Sequence, residues 1–392
     1  MIERLQVLTA QHHLFLMGPR GVGKSTLLKK MFNKSKCLWI DLLEATTEQR
    51  FAANPDELAN IVRQLDDSIT HVVIDEVQKI PKLLDVVHML IEEKKKIFIL
   101  SGSSARKLRR GAANLLAGRA FVYYLYPFSF LELNDDIDVN ALLQYGTLPQ
   151  VFTFLKAQEK QQYLMSYAQT YLKEEIIAEQ VIRNLDPFRR FLELSAQCNG
   201  KIINYSAVAR DVGASETTVK EYFQILEDTL VGFFLEPFRH SFRKRLSLKP
   251  KFYYFDTGVV RALGRMLSAP IQRGTSYYGE LFEHYVIIEC LRLANYYYPE
   301  YRFSYAKTKD GAEIDLVVER PGLPHLFIEI KSTDNVRIEK LKSFIGLVND
   351  YKDCEAICLS QDPYAKQLGP ITVYPWKEGI KRYFALTDSN GK

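Results

Sequence analysis

A glycine-rich loop close to the start of the chain constrains the fold more than any other feature of the sequence. An apolar run, Leu14–Met17, leads into the loop, and a helical pattern begins at Lys24. The loop matches the phosphate-loop pattern GxxxxGK(S/T), whose glycines let backbone amides turn inward around phosphate groups. The loop and the first residues of the helix are Gly18, Pro19, Arg20, Gly21, Val22, Gly23, Lys24, Ser25 and Thr26.

This loop predicts an ATP site with Mg²⁺. The helix that follows it directs the positive end of its dipole at the bound anion. We expect Lys24 to reach the β- and γ-phosphates and Ser25 to hold Mg²⁺, with the rest of Gly18–Thr26 around the nucleotide. The alternative is a glycine-rich turn that matches by accident. The apolar run before the loop and the helical pattern after it argue against that alternative.

Two acidic residues follow another strand-like run. The apolar run His71–Asp75 ends in Asp75, and Glu76 comes next. In an α/β sheet, ligands bind at the carboxyl ends of the strands. We therefore expect Asp75 to hold Mg²⁺ and Glu76 to activate the attacking water. Because two acids at a strand end also occur in ordinary loops, this prediction depends on the phosphate loop.

Two further residues are candidates for the ATP site. Ser101 follows the next apolar run, where a γ-phosphate sensor would lie, although a plain Ser/Gly turn has the same composition. Arg119 is a candidate arginine finger that stabilises charge in the transition state, or else it pairs with a structural carboxylate. Whether Arg119 would act within its own subunit or across an interface stays open.

Residues 1–135 alternate short apolar runs with helical patterns that begin near Lys24, Pro55 and Pro81. Most of the runs lack strict alternation, as expected for parallel strands that are covered on both faces. This region is therefore predicted to be an α/β domain with a parallel sheet, followed by a helical lid or connector over 136–187. The five apolar runs are Leu14–Met17, Cys37–Asp41, His71–Asp75, Ile97–Leu100 and Phe121–Leu125.

Residues 188–246 resemble a winged helix-turn-helix. Gly213 breaks the chain between two helical patterns, and Ser215 can cap the second helix. Basic residues lie among aromatic ones just after this pattern, where a wing would contact DNA phosphates. The second helix also carries Glu216 and Glu221, a poor face for DNA, so double-stranded DNA and a protein partner both stay open as ligands. The basic residues are Arg239, Arg243, Lys244, Arg245, Lys249 and Lys251.

The remaining part, 247–392, returns to strand and helix alternation and carries a second group of charged residues. Asp315, Glu329 and Lys331 form a D-x13-E-x-K pattern on two strand-like segments. Residues two apart on a strand share a face, and Asp315 can join the other two if the strands are hairpin neighbours. Both carboxylates, completed by Glu283, would then hold Mg²⁺ while Lys331 orients or deprotonates water for phosphodiester hydrolysis. Alternating charge on an edge strand also prevents aggregation, which is the alternative.

Several short motifs follow one another along nearly the whole chain and resemble those of prokaryotic AAA-type ATPases that carry a C-terminal domain of unknown function, number 4143. The resemblance implies an AAA-type ATPase domain, a winged helix and a C-terminal α/β domain similar to PD-(D/E)xK nucleases. It implies no known biological role. Besides the phosphate loop, the motifs are Asp75–Lys79, Ser101–Ser104, Leu116–Arg119, Tyr126–Glu132, Lys249–Gly258, Gly279–Glu283, Gly311–Val317 and Glu329–Lys331.

Composition narrows the function classes only a little. No stretch of about 18 uncharged apolar residues occurs, which argues against a membrane span. The five cysteines form no CxxC pair, which indicates a reduced, cytoplasmic chain without a zinc site. The net charge of +5 permits nucleic acid binding without arguing for it. Two functions stay open, an ATP-controlled nuclease and an ATP-driven switch that binds a protein partner and cuts nothing, and so does oligomerisation.

Overall fold

Two β-sheets with helices packed on them organise the chain in the computed structural model. Within the described residues, the first sheet has five strands and the second has eight. No helix in this part of the chain combines the length and the apolar character that crossing a bilayer requires. The described residues are 2–32, 34–104, 118–133, 137–171, 185–238, 249–308, 311–351 and 353–385.

The strands of the first sheet are β1 (Leu14–Met17), β2 (Cys37–Asp41), β3 (His71–Asp75), β4 (Ile97–Gly102) and β5 (Phe121–Tyr124). They lie in the order β2-β3-β4-β1-β5, and every neighbouring pair is parallel. The predicted α/β architecture with a parallel sheet is therefore confirmed. Since the strands are parallel, the loops that follow β1, β3 and β4 meet at one edge of the sheet.

The helices of this region are α1 (Lys24–Met31), α2 (Ala45–Ala53), α3 (Glu57–Arg63) and α4 (Leu83–Glu92). Both faces of the sheet are covered, because Val72 and Ile74 pack with residues of α3 and α4 while Val73 packs on the other side with residues of α1. This double burial explains why the strands have continuous apolar sequences.

The middle of the chain is mostly helical, with α5 (Val139–Tyr145), α6 (Ala157–Ser166), α7 (Leu185–Gln197), α8 (Tyr205–Val212) and α9 (Glu216–Asp228). A π-helical turn, Tyr167–Tyr171, continues α6. Helix α8 ends at Gly213, whose φ of 72° is left-handed. Helix α9 begins as predicted, because the Ser215 hydroxyl accepts a hydrogen bond from the Thr218 amide at 3.1 Å.

The strands of the second sheet are β6 (Gly232–Pro237), β7 (Lys251–Tyr254), β8 (Arg302–Lys307), β9 (Glu313–Glu319), β10 (His325–Lys331), β11 (Cys354–Ser360), β12 (Lys366–Leu368) and β13 (Ile371–Pro375). Their order is β12-β13-β11-β10-β9-β8-β6-β7. Strands β6 and β7 form an antiparallel pair, and β6 also pairs with β8. The predicted domain boundary at 246/247 therefore falls between two paired strands.

The helices that accompany this sheet are α10 (Thr257–Leu263), α11 (Ser276–Tyr297), α12 (Lys342–Asn349) and α13 (Trp376–Phe384). The longest is α11, with 22 residues, and it extends beyond the predicted span of 279–293 at both ends. Its buried apolar residues belong to a core cluster that also contains residues of the first sheet.

Candidate functional site

The loop between β1 and α1 has the backbone that a phosphate loop requires. Gly21 and Gly23 have φ values of +80° and +94°, in the left-handed region that favours glycine. At Gly18 a Cβ atom would lie 2.2 Å from the main-chain oxygen of Leu125, so only glycine fits there. All three glycines of the loop are therefore required by backbone conformation or by close packing.

Lys24 is buried under its own loop. Its side-chain Nζ donates hydrogen bonds to the main-chain oxygens of Gly18, at 2.8 Å, and Pro19, at 3.2 Å. The same Nζ lies 3.7 Å from Glu76 Oε1, so the ammonium group faces the acidic pair at the end of β3. Ser25 follows at the start of α1 and is half-buried, while Thr26 is exposed.

Asp75 and Glu76 are arranged by Ser101. Asp75 is fully buried, and its Oδ1 accepts a hydrogen bond from the Ser101 hydroxyl. The Glu76 amide donates to the same hydroxyl at 3.1 Å, and Glu76 has a left-handed φ of 61°. The structure thus places Ser101 at the end of β3, where its hydroxyl bonds the carboxylate of Asp75 and the main-chain amide of Glu76.

The Glu76 carboxylate is held in the ionised form that a general base needs. Burial raises its pKa, but the Lys24 ammonium and hydrogen bonds from Gln78 and Ser103 outweigh burial and leave the pKa below the ordinary range. The Gln78 amide also donates to the Ser103 hydroxyl at 2.8 Å, which fixes both donors. At neutral pH, Glu76 therefore carries a negative charge.

One atom of this site fits a bound metal ion. Asp75 Oδ2 is buried and has no hydrogen-bond partner within the described residues. A buried carboxylate oxygen without a partner is costly, so a ligand at this position would satisfy it. Asp75 and Ser25 together have the oxygen donors that Mg²⁺ prefers.

Arg119 lies away from the phosphate loop of its own chain. It precedes β5, and Phe121 of β5 pairs with Leu14 at the start of β1. Because β1 has four residues, its two ends lie roughly 10 Å apart, with the phosphate loop at the far end. The Arg119 Nε donates to Glu92 Oε1 at 2.6 Å. Leu116 and Ala117 of the same motif lie outside the described residues.

Two residues outside the phosphate loop, Arg4 and Tyr167, donate hydrogen bonds to its main chain. The sequence did not single out either residue. The Arg4 guanidinium donates to the main-chain oxygens of Val22, at 2.7 Å, and Tyr126. The Tyr167 hydroxyl donates to the main-chain oxygen of Arg20 at 2.8 Å, from the π-helical turn after α6. Neither contact has a local sequence signal, because both join segments that are far apart along the chain.

A second candidate site is a cavity of about 670 Å³ beside the second sheet. The four predicted residues, Glu283, Asp315, Glu329 and Lys331, all line it. Strands β9 and β10 are antiparallel neighbours, as the hairpin prediction required, and the Ile330 amide donates to Asp315 Oδ2 at 2.7 Å. The structure therefore brings these distant residues together.

Several carboxylates of this cavity are already paired with lysines, whereas Asp315 accepts its hydrogen bond from the Ile330 amide. The Lys331 ammonium contacts Glu329. The Lys251 Nζ lies 2.5 Å from Glu313 Oε1 and 3.5 Å from Glu283 Oε1. Lys251 was expected on the exposed wing, and that expectation is wrong, because the residue is only 4% exposed and lines the cavity.

The basic segment as a whole is described only in part. Arg239, Arg243, Lys244 and Arg245 lie outside the described residues. Of the two lysines that remain, Lys249 is exposed and Lys251 is buried. A DNA contact by this segment therefore stays a prediction.

The second cavity is electrostatically different from the phosphate loop. Burial raises the pKa of Asp315 well above its ordinary value, and the charges of Glu329 and Glu283 raise it further. Burial also raises the pKa of Glu329, against the effect of Lys331. No group of three His, Cys, Asp or Glu side chains within the described residues is arranged to hold a metal ion. One oxygen, Glu329 Oε2, is nevertheless buried without a hydrogen-bond partner.

Three family models match successive parts of the chain. An AAA domain matches residues 10–134, and two domains of unknown function, DUF8612 and DUF4143, match 137–270 and 278–378. The chain combines a P-loop AAA domain with a DUF4143 domain. The family resemblance found in the sequence is thus confirmed.

Two bacterial proteins are similar to most of this AAA-domain protein. Uncharacterized proteins of Mycobacterium bovis and Mycobacterium tuberculosis are each 28% identical over 334 residues, which cover 83% of this chain and 72% of theirs. Among solved structures, domain III of the replication initiation protein DnaA of Thermotoga maritima is 16% identical, with a TM-score of 0.23, over 55% of this chain and 84% of that one. Drosophila ORC bound to AT-rich DNA and Cdc6 is 10% identical, with a TM-score of 0.22, over 65% and 85%.

Helix α11 joins the AAA domain to the DUF4143 cavity. Its Glu289 accepts hydrogen bonds from the Ser129 hydroxyl at 2.7 Å and from the Phe130 amide at 3.1 Å. Its Tyr296 hydroxyl accepts from the Tyr126 amide at 3.1 Å. The same helix carries Glu283, which lines the cavity. One rigid element therefore contacts both regions.

Proposed function

We propose that the AAA domain binds ATP with Mg²⁺ and hydrolyses it, with Glu76 as the general base. The observation that supports this most strongly is an ionised Glu76 facing Lys24 at the mouth of the phosphate loop. Glu76 would accept a proton from the water that attacks the γ-phosphorus, while the bond to the β–γ bridging oxygen breaks and ADP leaves. Lys24 would neutralise charge on the β- and γ-phosphates. Mg²⁺ held by Ser25 and Asp75 would supply further neutralisation when bound.

Replacement of Lys24 tests this proposal. In Lys24→Ala, ATP turnover should fall by at least roughly a hundredfold, because two charge-assisted contacts of about 1.5–3 kcal/mol each are lost. Lys30→Ala is the matched control, since Lys30 lies on the same helix and is exposed. Turnover and binding of a fluorescent ATP analogue would be measured with Mg²⁺ present. Equal turnover in both variants would disprove the proposal.

We further propose that the DUF4143 cavity is similar to a PD-(D/E)xK nuclease site and hydrolyses phosphodiester bonds in double-stranded DNA. Asp315 and Glu329 would hold Mg²⁺, and the unpartnered Glu329 Oε2 supports this assignment. The charges of Glu329 and Asp315 outweigh burial and keep the pKa of Lys331 above its ordinary value. Lys331 is therefore a cation that orients water, and it is poorly suited to removing a proton.

A specific observation favours the alternative, an ATP-driven switch that binds a protein partner. Glu283, Glu313 and Glu329 are paired with lysines, and within the described residues no group of three His, Cys, Asp or Glu side chains is arranged to hold a metal ion. Incubation of the protein with plasmid, ATP and Mg²⁺ or Mn²⁺ separates the two functions. Cleavage that is lost in Lys331→Ala and kept in Lys381→Ala supports the nuclease, because Lys381 is exposed and does not line the cavity. Intact plasmid with normal ATP turnover supports the switch.

We infer that nucleotide state reaches the cavity through α11. The Arg4 guanidinium donates hydrogen bonds to the main-chain oxygens of Val22, in the phosphate loop, and of Tyr126. The Tyr126 amide in turn donates to the Tyr296 hydroxyl of α11. A change in hydrogen exchange of α11 between ADP and a non-hydrolysable ATP analogue would test this path. The change should shrink in Tyr296→Phe, which lacks the acceptor, and persist in Tyr297→Phe. An unchanged response in Tyr296→Phe would exclude this contact as the path.

A further inference from the structure

The lysine at position 251 enters the second cavity from outside the DUF4143 domain. Lys251 belongs to β7, within the region that matches DUF8612, whereas the two carboxylates that it contacts, Glu283 and Glu313, lie in the DUF4143 region. Its position is fixed by a main-chain pairing with the loop before α8. Ile202 forms a β-bridge with Lys251, and the Ile203 amide donates to the Pro250 oxygen at 3.0 Å. Strand β7 therefore holds the Lys251 ammonium group in the cavity.

The contacts of Lys251 divide the cavity into two halves. In one half, the Lys251 ammonium lies between Glu313 and Glu283, at 2.5 and 3.5 Å. Glu313 also pairs with Lys307 at 2.7 Å, and Glu283 accepts a hydrogen bond from the Tyr253 hydroxyl at 2.8 Å. Both carboxylates in this half therefore have more than one donor.

The other half is less completely satisfied. It contains Asp315 and Glu329, with Lys331 as the ammonium group that contacts Glu329. Glu329 is only 7% exposed, and its Oε2 is buried without a hydrogen-bond partner within the described residues. A buried acceptor of this kind is stabilised by a cation or a donor that enters the cavity.

Charge balance limits how many cations the cavity can take. In the Glu283–Glu313 half, two carboxylates contact two ammonium groups, Lys251 and Lys307, so the formal charges sum to 0. In the other half, Asp315 and Glu329 lie beside one ammonium group, Lys331, so the formal charges sum to −1. One divalent cation would change the sum to +1 in the second half but to +2 in the first, which is less favourable in a partly buried space.

We propose that Lys251 acts as a fixed cation in the Glu283–Glu313 half, so that the cavity takes a single divalent cation at Asp315 and Glu329. This inference rests on the metal site of the proposed nuclease function. It assigns Lys251 as a positioning residue that holds Glu283 and Glu313, and it removes Glu283 from the set of metal ligands. A second divalent cation would have to displace a lysine that a rigid strand holds in place.

Counting bound Mn²⁺ in the full-length, nucleotide-free protein tests the inference. Electron paramagnetic resonance measures free Mn²⁺, and the ion that belongs to the cavity is the one lost in Asp315→Asn. The wild-type protein should bind one cavity ion, Lys251→Arg should also bind one, and Lys251→Met should bind two. Metal count is independent of DNA cleavage, and a merely structural role of Lys251 would not add a binding site.

Each outcome bears on a different claim. If Lys251→Met binds the same number of ions as the wild-type protein, the role of Lys251 is wrong while the metal site stands. If Asp315→Asn loses no ion from any of these chains, the metal site of the proposed function is wrong and the inference fails with it. Should Lys251→Met not fold, as judged by circular dichroism, Lys251→Gln is the second variant, because it keeps a hydrogen-bond donor and removes the charge.

Discussion

The phosphate loop and the DUF4143 cavity both place lysines beside carboxylates, yet the lysines have different partners. In the phosphate loop, the nearest partners of Lys24 are two neutral main-chain oxygens at 2.8 and 3.2 Å, and Glu76 is farther away at 3.7 Å. In the cavity, Lys331 contacts Glu329 directly and Lys251 lies 2.5 Å from Glu313. The first lysine is held mainly by dipoles and the others by opposite charges.

This difference in the partners of the lysines indicates which kind of ligand each site can bind. Contacts with neutral oxygens can be exchanged for phosphate oxygens with a net gain in electrostatic energy, since the new partners are charged. A buried ion pair that loses one partner leaves an uncompensated charge, which costs several kcal/mol. The phosphate loop is therefore ready for an anion, whereas a cation can enter the Lys251 half of the cavity only by replacing an existing ion pair.

The largest effect on this contrast between the two sites is expected when the negative charge of Glu76, which faces Lys24, is removed. In Glu76→Gln, ATP should still bind, because the phosphate loop is intact, but turnover should fall by about 10²- to 10⁴-fold through loss of the general base. Single-turnover hydrolysis measured beside equilibrium ATP binding checks both parts. Glu48→Gln is the control, since Glu48 is a half-buried acid of the same domain that pairs with Lys79. Full turnover in Glu76→Gln would require another base.

The next largest effect is expected where α11 joins the two regions. Arg292 is buried and donates to Glu289 Oε1 at 2.8 Å and to the Thr147 hydroxyl at 2.9 Å. Arg292→Met should lower the free energy of unfolding by about 3–5 kcal/mol, because Glu289 is left as an unpaired buried charge. Urea unfolding measures the loss. Arg265→Met is the control, since its pair with Glu193 is exposed and worth at most about 1 kcal/mol.

The loss in Arg292→Met should also depend on pH. Burial raises the pKa of Glu289, so the folded chain takes up a proton at this group more readily than the unfolded chain does. Proton uptake by Glu289 therefore contributes to the free energy of unfolding. This contribution is fully present below the ordinary carboxyl pKa and disappears as pH rises through the pKa of Glu289 in the folded chain. Without Arg292, the folded pKa of Glu289 rises further. The destabilisation relative to wild type should therefore be larger at about pH 8 than at about pH 5, and the opposite trend would show that Glu289 is not the group responsible.

The first site was predictable from the sequence because its signals are local. The phosphate loop is one continuous segment, and the strands that flank it are buried on both faces, so each reads as an apolar run. The run His71–Asp75 matches β3 in its bounds and delivers Asp75 to the sheet edge. The role of Ser101 against Asp75 and Glu76 was not predictable, because it depends on how two neighbouring strands end in space.

The second site shows where sequence patterns stop being informative. The D-x13-E-x-K pattern predicted that Asp315 would join Glu329 and Lys331 if the two strands were hairpin neighbours, and β9 and β10 are antiparallel neighbours. Lys251 reads along the chain as one more residue of a basic segment. Its place in the cavity depends on β6 pairing with both β7 and β8, and on the bridge to Ile202. Pairings between distant segments leave no local periodicity.

A smaller change can separate positioning from direct phosphate contact in the AAA domain. In Ser101→Ala, turnover should fall by roughly ten- to a hundredfold, the effect of losing a hydrogen bond of about 1.5–3 kcal/mol to a charged group. ATP affinity should change little, because Ser101 contacts Asp75 and Glu76. Ser104→Ala is a matched control, since its buried hydroxyl has no partner within the described residues. A large loss of affinity for ATP relative to ADP would instead identify Ser101 as a γ-phosphate sensor.

The smallest effect on ATP turnover is expected for Arg119→Ala. This variant tests whether Arg119 acts at the ATP site of a neighbouring subunit. Arg119 lies at the sheet edge opposite the phosphate loop, and its pair with Glu92 is exposed, worth at most about 1 kcal/mol. In dilute protein, Arg119→Ala should therefore turn over ATP at nearly the wild-type rate. Turnover per chain would be measured over a range of protein concentrations for both proteins. A rate that rises with concentration in the wild type and stays flat in Arg119→Ala would mean that Arg119 completes the site of a neighbouring subunit. A large loss in dilute protein would contradict the placement of Arg119, because a side chain at that edge cannot reach the phosphates of its own chain.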